Sequence, residues 1–231
     1  EGHARLDRNI EKCKLTRCNL GSIERSRHFQ AILKDRMYDD APEITSRICG
    51  ICSSAHGVVS VTAMERALGL KVSPQTIMLR DLQTVGERIR SHATHLYVLA
   101  LPDYLGYESA IEMAPKFKKE ITRSLRLIKL GNDMVTAASG RVMHQVSNQV
   151  GGIAAYPTQE QIDSFRQRMI DAKKDIFDTA ELFASLEYPE FETDGLMFSL
   201  TKKDEYATSY GDIKIGDKVY SQEEFPKVTK E

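Results

Sequence analysis

No stretch of this sequence stays apolar for long. The longest run, Leu96 to Leu101, covers six residues, far short of the roughly 20 that a bilayer-crossing helix needs, so no transmembrane segment is expected. Cysteine is sparse: four residues in 231 are too few for a disulfide-stapled secreted scaffold. Neither sign of charge prevails, since 32 Lys plus Arg stand against 33 Asp plus Glu for a formal net charge of −1. Without a basic excess, nothing advertises a nucleic-acid backbone as partner. Repeats and low-complexity linkers are missing, and neither an initiating Met nor a charged-then-apolar leader opens the chain. Secretion therefore has no support, and a processed or trimmed piece with a cytoplasmic location is expected.

What is present is length enough to bury a substantial core and a pattern that is mostly helical. Residues 3–18 alternate weakly and suggest a small hairpin. Ile23, Phe29, Ile32 and Leu33 recur at helical spacing and predict a helix from Ser22 to about Arg36, followed by a connector through Pro42. Ser53 can cap a helix whose apolar positions Val58, Val61, Met64, Ala67 and Leu68 run to Gly69, a natural C-terminal stop. Ser73-Pro74 opens a long helix carried by Leu79, Leu82, Ile89, Leu96 and Leu99 to Pro102. Further helices are expected from about Met113 to Ala138 and from Thr158 to Tyr188, the latter opened by a capping box of Thr158 and Gln161. Gly151-Gly152 breaks the chain between them. Beyond Pro189, short alternating stretches at 197–200, 213–215 and 218–220 predict a small sheet, and Ser221 with Glu224 marks another helix start. The fold class is mainly α with minor β (α+β), built on long helices. The chain reads as one domain over 1–231, with a small β element at 1–21, a helical core at 22–189 and a β-rich insertion at 190–231.

The chemistry concentrates at Arg47-Ile48-Cys49-Gly50-Ile51-Cys52-Ser53-Ser54-Ala55-His56. Two thiols three residues apart can reach one metal from a single turn. Gly50 removes bulk where backbone must approach it, and a following helix N-terminus favours thiolates. Such a pair is half of a site: it suits nickel, zinc, copper(I) or iron and cannot choose among them. Taken alone, such a pair is most often half of a structural zinc site or a redox dithiol, and Cys13 and Cys18 could complete a four-cysteine zinc site in an interaction protein. His92 and His95, at i and i+3, are read as packing residues, and Lys116, Lys118, Lys119 and Arg123 as a solvated helix face.

The surrounding motifs narrow this. Glu1-Gly2-His3, Phe29-Gln30-Ala31-Ile32-Leu33, Arg47 to Cys52 with His56, Ser91-His92-Ala93-Thr94-His95-Leu96-Tyr97, Leu101-Pro102-Asp103-Tyr104, and Arg141-Val142-Met143-His144 followed by Gly151-Gly152 resemble, in order and spacing, the motifs of nickel-iron hydrogenase large subunits. The resemblance covers nearly the whole chain. Ser91, where many uptake enzymes carry Asp, together with Leu101 to Leu105, looks most like the cytoplasmic multimeric NAD(P)-linked or sulfhydrogenase type.

The resemblance implies an oxidoreductase that reversibly cleaves H2 heterolytically. Its cofactor would be a nickel-iron centre with cyanide and carbonyl ligands on iron. Cys49 would be a terminal nickel ligand and Cys52 a ligand bridging to iron, with His56 donating to a bridging sulfur. Glu1 would relay protons, as a carboxyl whose pKa burial can raise, and Arg47 would either offset the charge of the cluster or of its iron-sulfur neighbour or form a surface salt bridge. An iron-sulfur small subunit and flavin or NAD(P) electron-transfer subunits are the implied partners. Two departures stand out. Gln30 replaces a glutamate that helps hold an outer magnesium or iron ion, so only a neutral carbonyl oxygen is offered there, and Gln145 replaces a proline. The second Cys-x-x-Cys of the family, with its nearby histidine, is not among these 231 residues. It belongs to a missing remainder or a separate polypeptide, or else the chain is a non-catalytic scaffold like the related subunit of respiratory complex I. The first reading predicts Cys49 and Cys52 side by side in the interior, with Cys13 and Cys18 elsewhere.

Overall fold

The computed structural model describes residues 3–23, 27–190, 192 and 195–229. The chain is mainly helical with small antiparallel sheets, and it divides into two compact units, one of residues 1–73 with 139–155, the other of 74–138 with 156–231.

The first unit opens with a hairpin of β1 (Ala4–Glu11) and β2 (Lys14–Ser22). Its two-residue turn places Lys12 and Cys13 at φ 48° and 61°, the left-handed pair that matches the twist of the flanking strands. Leu6 faces Leu20 and Ile10 faces Leu15 across the ladder, and all four are exposed. The helix expected over 22–36 is limited, among the described residues, to α1 (His28–Leu33), and Asp35 at φ 63° turns the chain out of helical geometry. The segment read as a connector contains a helix of its own, α2 (Ala41–Ser46). Pro42 sits in its first turn, where a missing N–H costs nothing.

Next comes α3 (Ser53–Ala67), which packs on α2. Its buried face is built of small residues, Ser53, Ser54, Gly57, Ser60 and the valines 58 and 61, together with Glu65. It stops as expected, with Gly69 at φ +68°. A two-residue ladder, β3 (Asn148–Gln149) with β4 (Gly152–Ile153), lies against α3. Glu65 Oε1 accepts the Gly151 N–H at 2.8 Å, which ties the glycine turn to the far end of α3.

The second unit is built on three long helices. α4 (Pro74–Thr94) passes into a π-helical turn, His95–Ala100, and then into α5 (Leu101–Leu105). Pro102 has no N–H and would crowd the preceding turn of a regular helix, so a widened turn just before it relieves both problems. The helix expected over 113–138 begins only past Pro115, as α7 (Lys118–Ser139), and a separate short α6 (Ala110–Met113) precedes it. α8 (Gln159–Ala184) begins with the expected reciprocal box: Gln161 N–H to Thr158 Oγ1 at 3.2 Å and Thr158 N–H to Gln161 Oε1 at 2.8 Å. β5 (Phe198–Thr201), β6 (Asp212–Ile215) and β7 (Lys218–Tyr220) form the anticipated antiparallel sheet, and α9 (Phe225–Val228) follows a capped turn at Ser221.

The core of this unit joins Ala93 of α4 with Leu127, Leu130, Met134 and Ala137 of α7 and Phe165 and Ala172 of α8. The α7 positions recur at three- and four-residue steps, as a helix facing a partner on one stripe requires. A second cluster holds Tyr97, Leu101 and Met113. The Tyr97 hydroxyl, fully buried, donates to Thr179 Oγ1 at 2.6 Å and accepts from Arg123 at 3.3 Å, so this buried polar atom is satisfied on both sides.

Candidate metal centre

Cys49 and Cys52 flank the turn that starts α3. Cys52 is the residue before the first helical position, with φ −113° and ψ 30°, and makes no side-chain cap bond. Its carbonyl accepts the His56 N–H at 3.3 Å, while its own N–H donates to Cys49 Sγ at 3.3 Å. The two cysteines are thus coupled before any third group is considered. Both cysteines are half-buried rather than in the interior.

His56 stands four residues after Cys52 on α3 and is also half-buried; this spacing puts the two on one face of the helix. Arg47, which caps α2, is bound to that helix: Nη1 donates to the Glu43 carbonyl at 2.8 Å and Nη2 meets Glu43 Oε1 at 3.1 Å. Gln30 is exposed on α1. Glu1 lies outside the described residues. Cys13 occupies the hairpin turn and Cys18 lies on β2, both exposed. Among the described residues no group of three or more His, Cys, Asp or Glu side chains comes together to hold an ion. The four cysteines therefore do not assemble into one site. What the described residues offer a metal is a soft pair, Cys49 and Cys52. That donor set fits a thiolate-ligated nickel-iron centre as far as two ligands go, and the remaining ligands must come from elsewhere.

The loop has supports that sequence reasoning did not assign. His144 donates its N–H to Ser53 Oγ at 3.1 Å, and its Nδ1 lies 3.1 Å from the Ser46 carbonyl. Ser53 was expected to cap α3 with its hydroxyl; instead the hydroxyl accepts from residue 144. The only signal for His144 was its place in the Arg141 to His144 motif, since contacts across 91 and 98 residues leave no local trace.

No helix among the described residues is long and apolar enough to cross a membrane. Comparison with known proteins agrees with the fold and the cysteine turn. The profile of the nickel-dependent hydrogenases matches residues 27–134. The chain is 35% identical to the alpha subunit of sulfhydrogenase 2 of Pyrococcus furiosus over 187 residues, 81% of this chain and 45% of that one. It is 35% identical to the alpha subunit of sulfhydrogenase 1 of the same organism over 209 residues, 90% of this chain and 48% of that one. The chain thus spans about half the length of the curated relatives it matches. Among solved structures, an NAD+-reducing nickel-iron hydrogenase in its H2-reduced state shares the fold with a TM-score of 0.79 at 22% identity, over 99% of this chain and 56% of that one. A nickel-iron-selenium hydrogenase of Desulfovibrio vulgaris Hildenborough superposes with a TM-score of 0.65 at 26% identity, over 78% of this chain and 40% of that one. With a matching profile through the cysteine turn, relatives of this similarity and a shared fold, the chain belongs to the nickel-dependent hydrogenase family, in its large subunit.

Proposed function

We propose that this chain supplies two of the thiolate ligands of a nickel-iron centre in an enzyme that reversibly cleaves H2. The observation that carries the reading is the turn itself: Cys49 and Cys52 placed together at the start of α3, with the Cys52 N–H on Cys49 Sγ. When bound, the metal centre, with its cyanide and carbonyl ligands on iron, supplies the chemistry of breaking H2 into protons and electrons.

The chain's residues have narrower tasks. Cys49 and Cys52 would hold the metal centre as thiolates, the ligand roles that the family resemblance gives them. His56, on the same helical face as Cys52, orients that sulfur by hydrogen bonding. Glu1 carries protons between the site and solvent, in keeping with the family resemblance. Arg47 offsets negative charge next to the ligands. Gln30, a neutral oxygen donor, is the weakest partner for an outer magnesium or iron ion. The other thiolates come from a further stretch of large subunit. Electrons pass to an iron-sulfur small subunit and onward to flavin or NAD(P)-binding subunits, all in the cytoplasm. The similarity to sulfhydrogenase alpha subunits supports this assignment of partners.

The test is to isolate the native assembly containing this chain, measure nickel and iron per complex, and assay H2-dependent dye reduction. Nickel and iron with H2 uptake are expected. Zinc alone, or no transition metal together with no H2 uptake, would remove the reading.

A further inference from the structure

We propose that His144 is a positioning residue that closes both ends of the cysteine loop, holding Cys49 and Cys52 at their ligand spacing before metal arrives. The proposal rests on the reading of those cysteines as metal ligands. The loop runs from Arg47 to Cys52, and the residues flanking it are Ser46 and Ser53. His144 bonds to both. Its imidazole reaches the Ser46 carbonyl at 3.1 Å, and since a carbonyl only accepts, Nδ1 carries the hydrogen. Its main-chain N–H reaches Ser53 Oγ, also at 3.1 Å. Ser46 and Ser53 are 1% and 0% exposed, so both anchor points are fixed in packed surroundings.

The strap is itself braced. Arg141 Nε donates to the His144 carbonyl at 2.5 Å, Gln145 Nε2 to the Val142 carbonyl at 2.9 Å, and the Val146 N–H to the Ser139 carbonyl at 3.3 Å. His144 reaches both anchors because its φ is 51°, a left-handed backbone that few residues other than glycine adopt and that histidine and asparagine tolerate better than most. One residue thereby supplies a main-chain donor to one end of the loop and a side-chain donor to the other. A loop so pinned has fewer conformations to lose when two thiolates must converge on one ion, which is how a preorganised ligand pair binds more tightly than a free one.

The experiment follows amide hydrogen exchange of peptides covering residues 48–52 in the complete large subunit with its partner chains, and nickel retained after dialysis against a chelator. His144→Gly keeps the left-handed backbone and its N–H but loses the imidazole. Ser53→Ala loses the other anchor. His144→Asn keeps a side-chain donor and tolerates the backbone. His144→Gly and Ser53→Ala should each speed exchange of residues 48–52 by roughly three- to tenfold, the effect of one ordinary hydrogen bond. They should also shed nickel faster, while exchange within α8 stays at the wild-type rate. His144→Asn should restore most of the protection.

Wild-type exchange of residues 48–52 in both His144→Gly and Ser53→Ala would overturn the proposal. Should His144→Gly disturb α8 as well, Ser53→Ala decides alone by the same criterion. A wild-type complex without nickel would sink the metal reading, and the exchange comparison would still decide whether His144 clamps the loop.

Discussion

The main-chain N–H of Cys52 points at the sulfur of Cys49 across 3.3 Å. That bond ties Cys49 and Cys52 into one unit at the start of α3. Replacing either sulfur with a hydroxyl keeps the shape of the turn but removes a soft, readily ionised donor. Cys49→Ser and Cys52→Ser should each lower bound nickel to near background, whereas Cys13→Ser and Cys18→Ser, on the exposed hairpin, should leave it unchanged. Nickel per complex, measured by elemental analysis, gives the answer, and full nickel in Cys52→Ser would remove that residue from the ligand set.

Glu1→Gln should behave differently from the ligand variants. The amide keeps the size of the carboxyl but has no exchangeable acidic proton, so nickel should stay near the wild-type level while hydrogen-deuterium exchange activity falls, by about 100-fold if the residue is a general acid-base group. Undiminished exchange would leave Glu1 with no part in proton transfer.

Gly86 and Gly131 let α4 and α7 approach until their backbones meet. A Cβ added at Gly131 would clash with the Gly86 carbonyl oxygen and lie 2.8 Å from the Arg90 nitrogen, and neither backbone atom can rotate aside. Gly131→Ala should therefore force the helices apart and destabilise the protein by about 1–3 kcal/mol, the usual cost of overpacking. Urea unfolding followed by circular dichroism measures this; a midpoint equal to that of the wild type would mean that the helix crossing is softer than this geometry implies.

The long helices were legible in the sequence because their signals are local: Pro74 at a first turn, the Thr158 and Gln161 box, and Gly69 at a helix stop each act within a few residues. The small sheet was legible for the same reason. The π-turn at 95–100 and the start of α7 only past Pro115 were not, because a proline inside an apolar period says that the helix must yield without saying how. The short α2 was hidden because six residues carry too little periodicity to stand out. At the candidate site, Cys49 and Cys52 could be found because their spacing is itself the signal, whereas His56 came from the motif resemblance. The anchors Ser46, Ser53 and His144 could not, since the bonds that join them span more than 90 residues. The roles given to Glu1, Gln30 and Arg47 came from resemblance, and the geometry of Arg47 adds a local partner, Glu43.

Acid should weaken the pairing of α7 with α8. Asp133 of α7 receives Lys129 from its own helix and Arg168 from α8 at 2.9 Å. Burial pushes its pKa up, but the hydrogen bonds and charges of Lys129 and Arg168 outweigh that and hold it below the ordinary carboxylate value. Asp178 of α8 is lowered first by its hydrogen bond from Lys174, with Arg123 of α7 adding to the effect at 2.8 Å. A carboxylate whose folded pKa is depressed contributes stability that is complete above its unfolded pKa of about 3.9 and is lost as pH falls through the lower folded value. The wild-type urea midpoint should accordingly hold steady from pH 7 to about 5 and fall steeply below about 4. Asp133→Asn with Asp178→Asn should start lower at pH 7, because Arg123 and Arg168 lose their charged partners, and should fall less on acidification, because two of the groups that take up protons are gone. Measured from pH 7 to 3, the two curves should converge toward the acid end. Parallel curves would show that these carboxylates hold the same affinity for protons in the folded and unfolded chain, and that the α7 and α8 ion pairs contribute nothing to acid sensitivity.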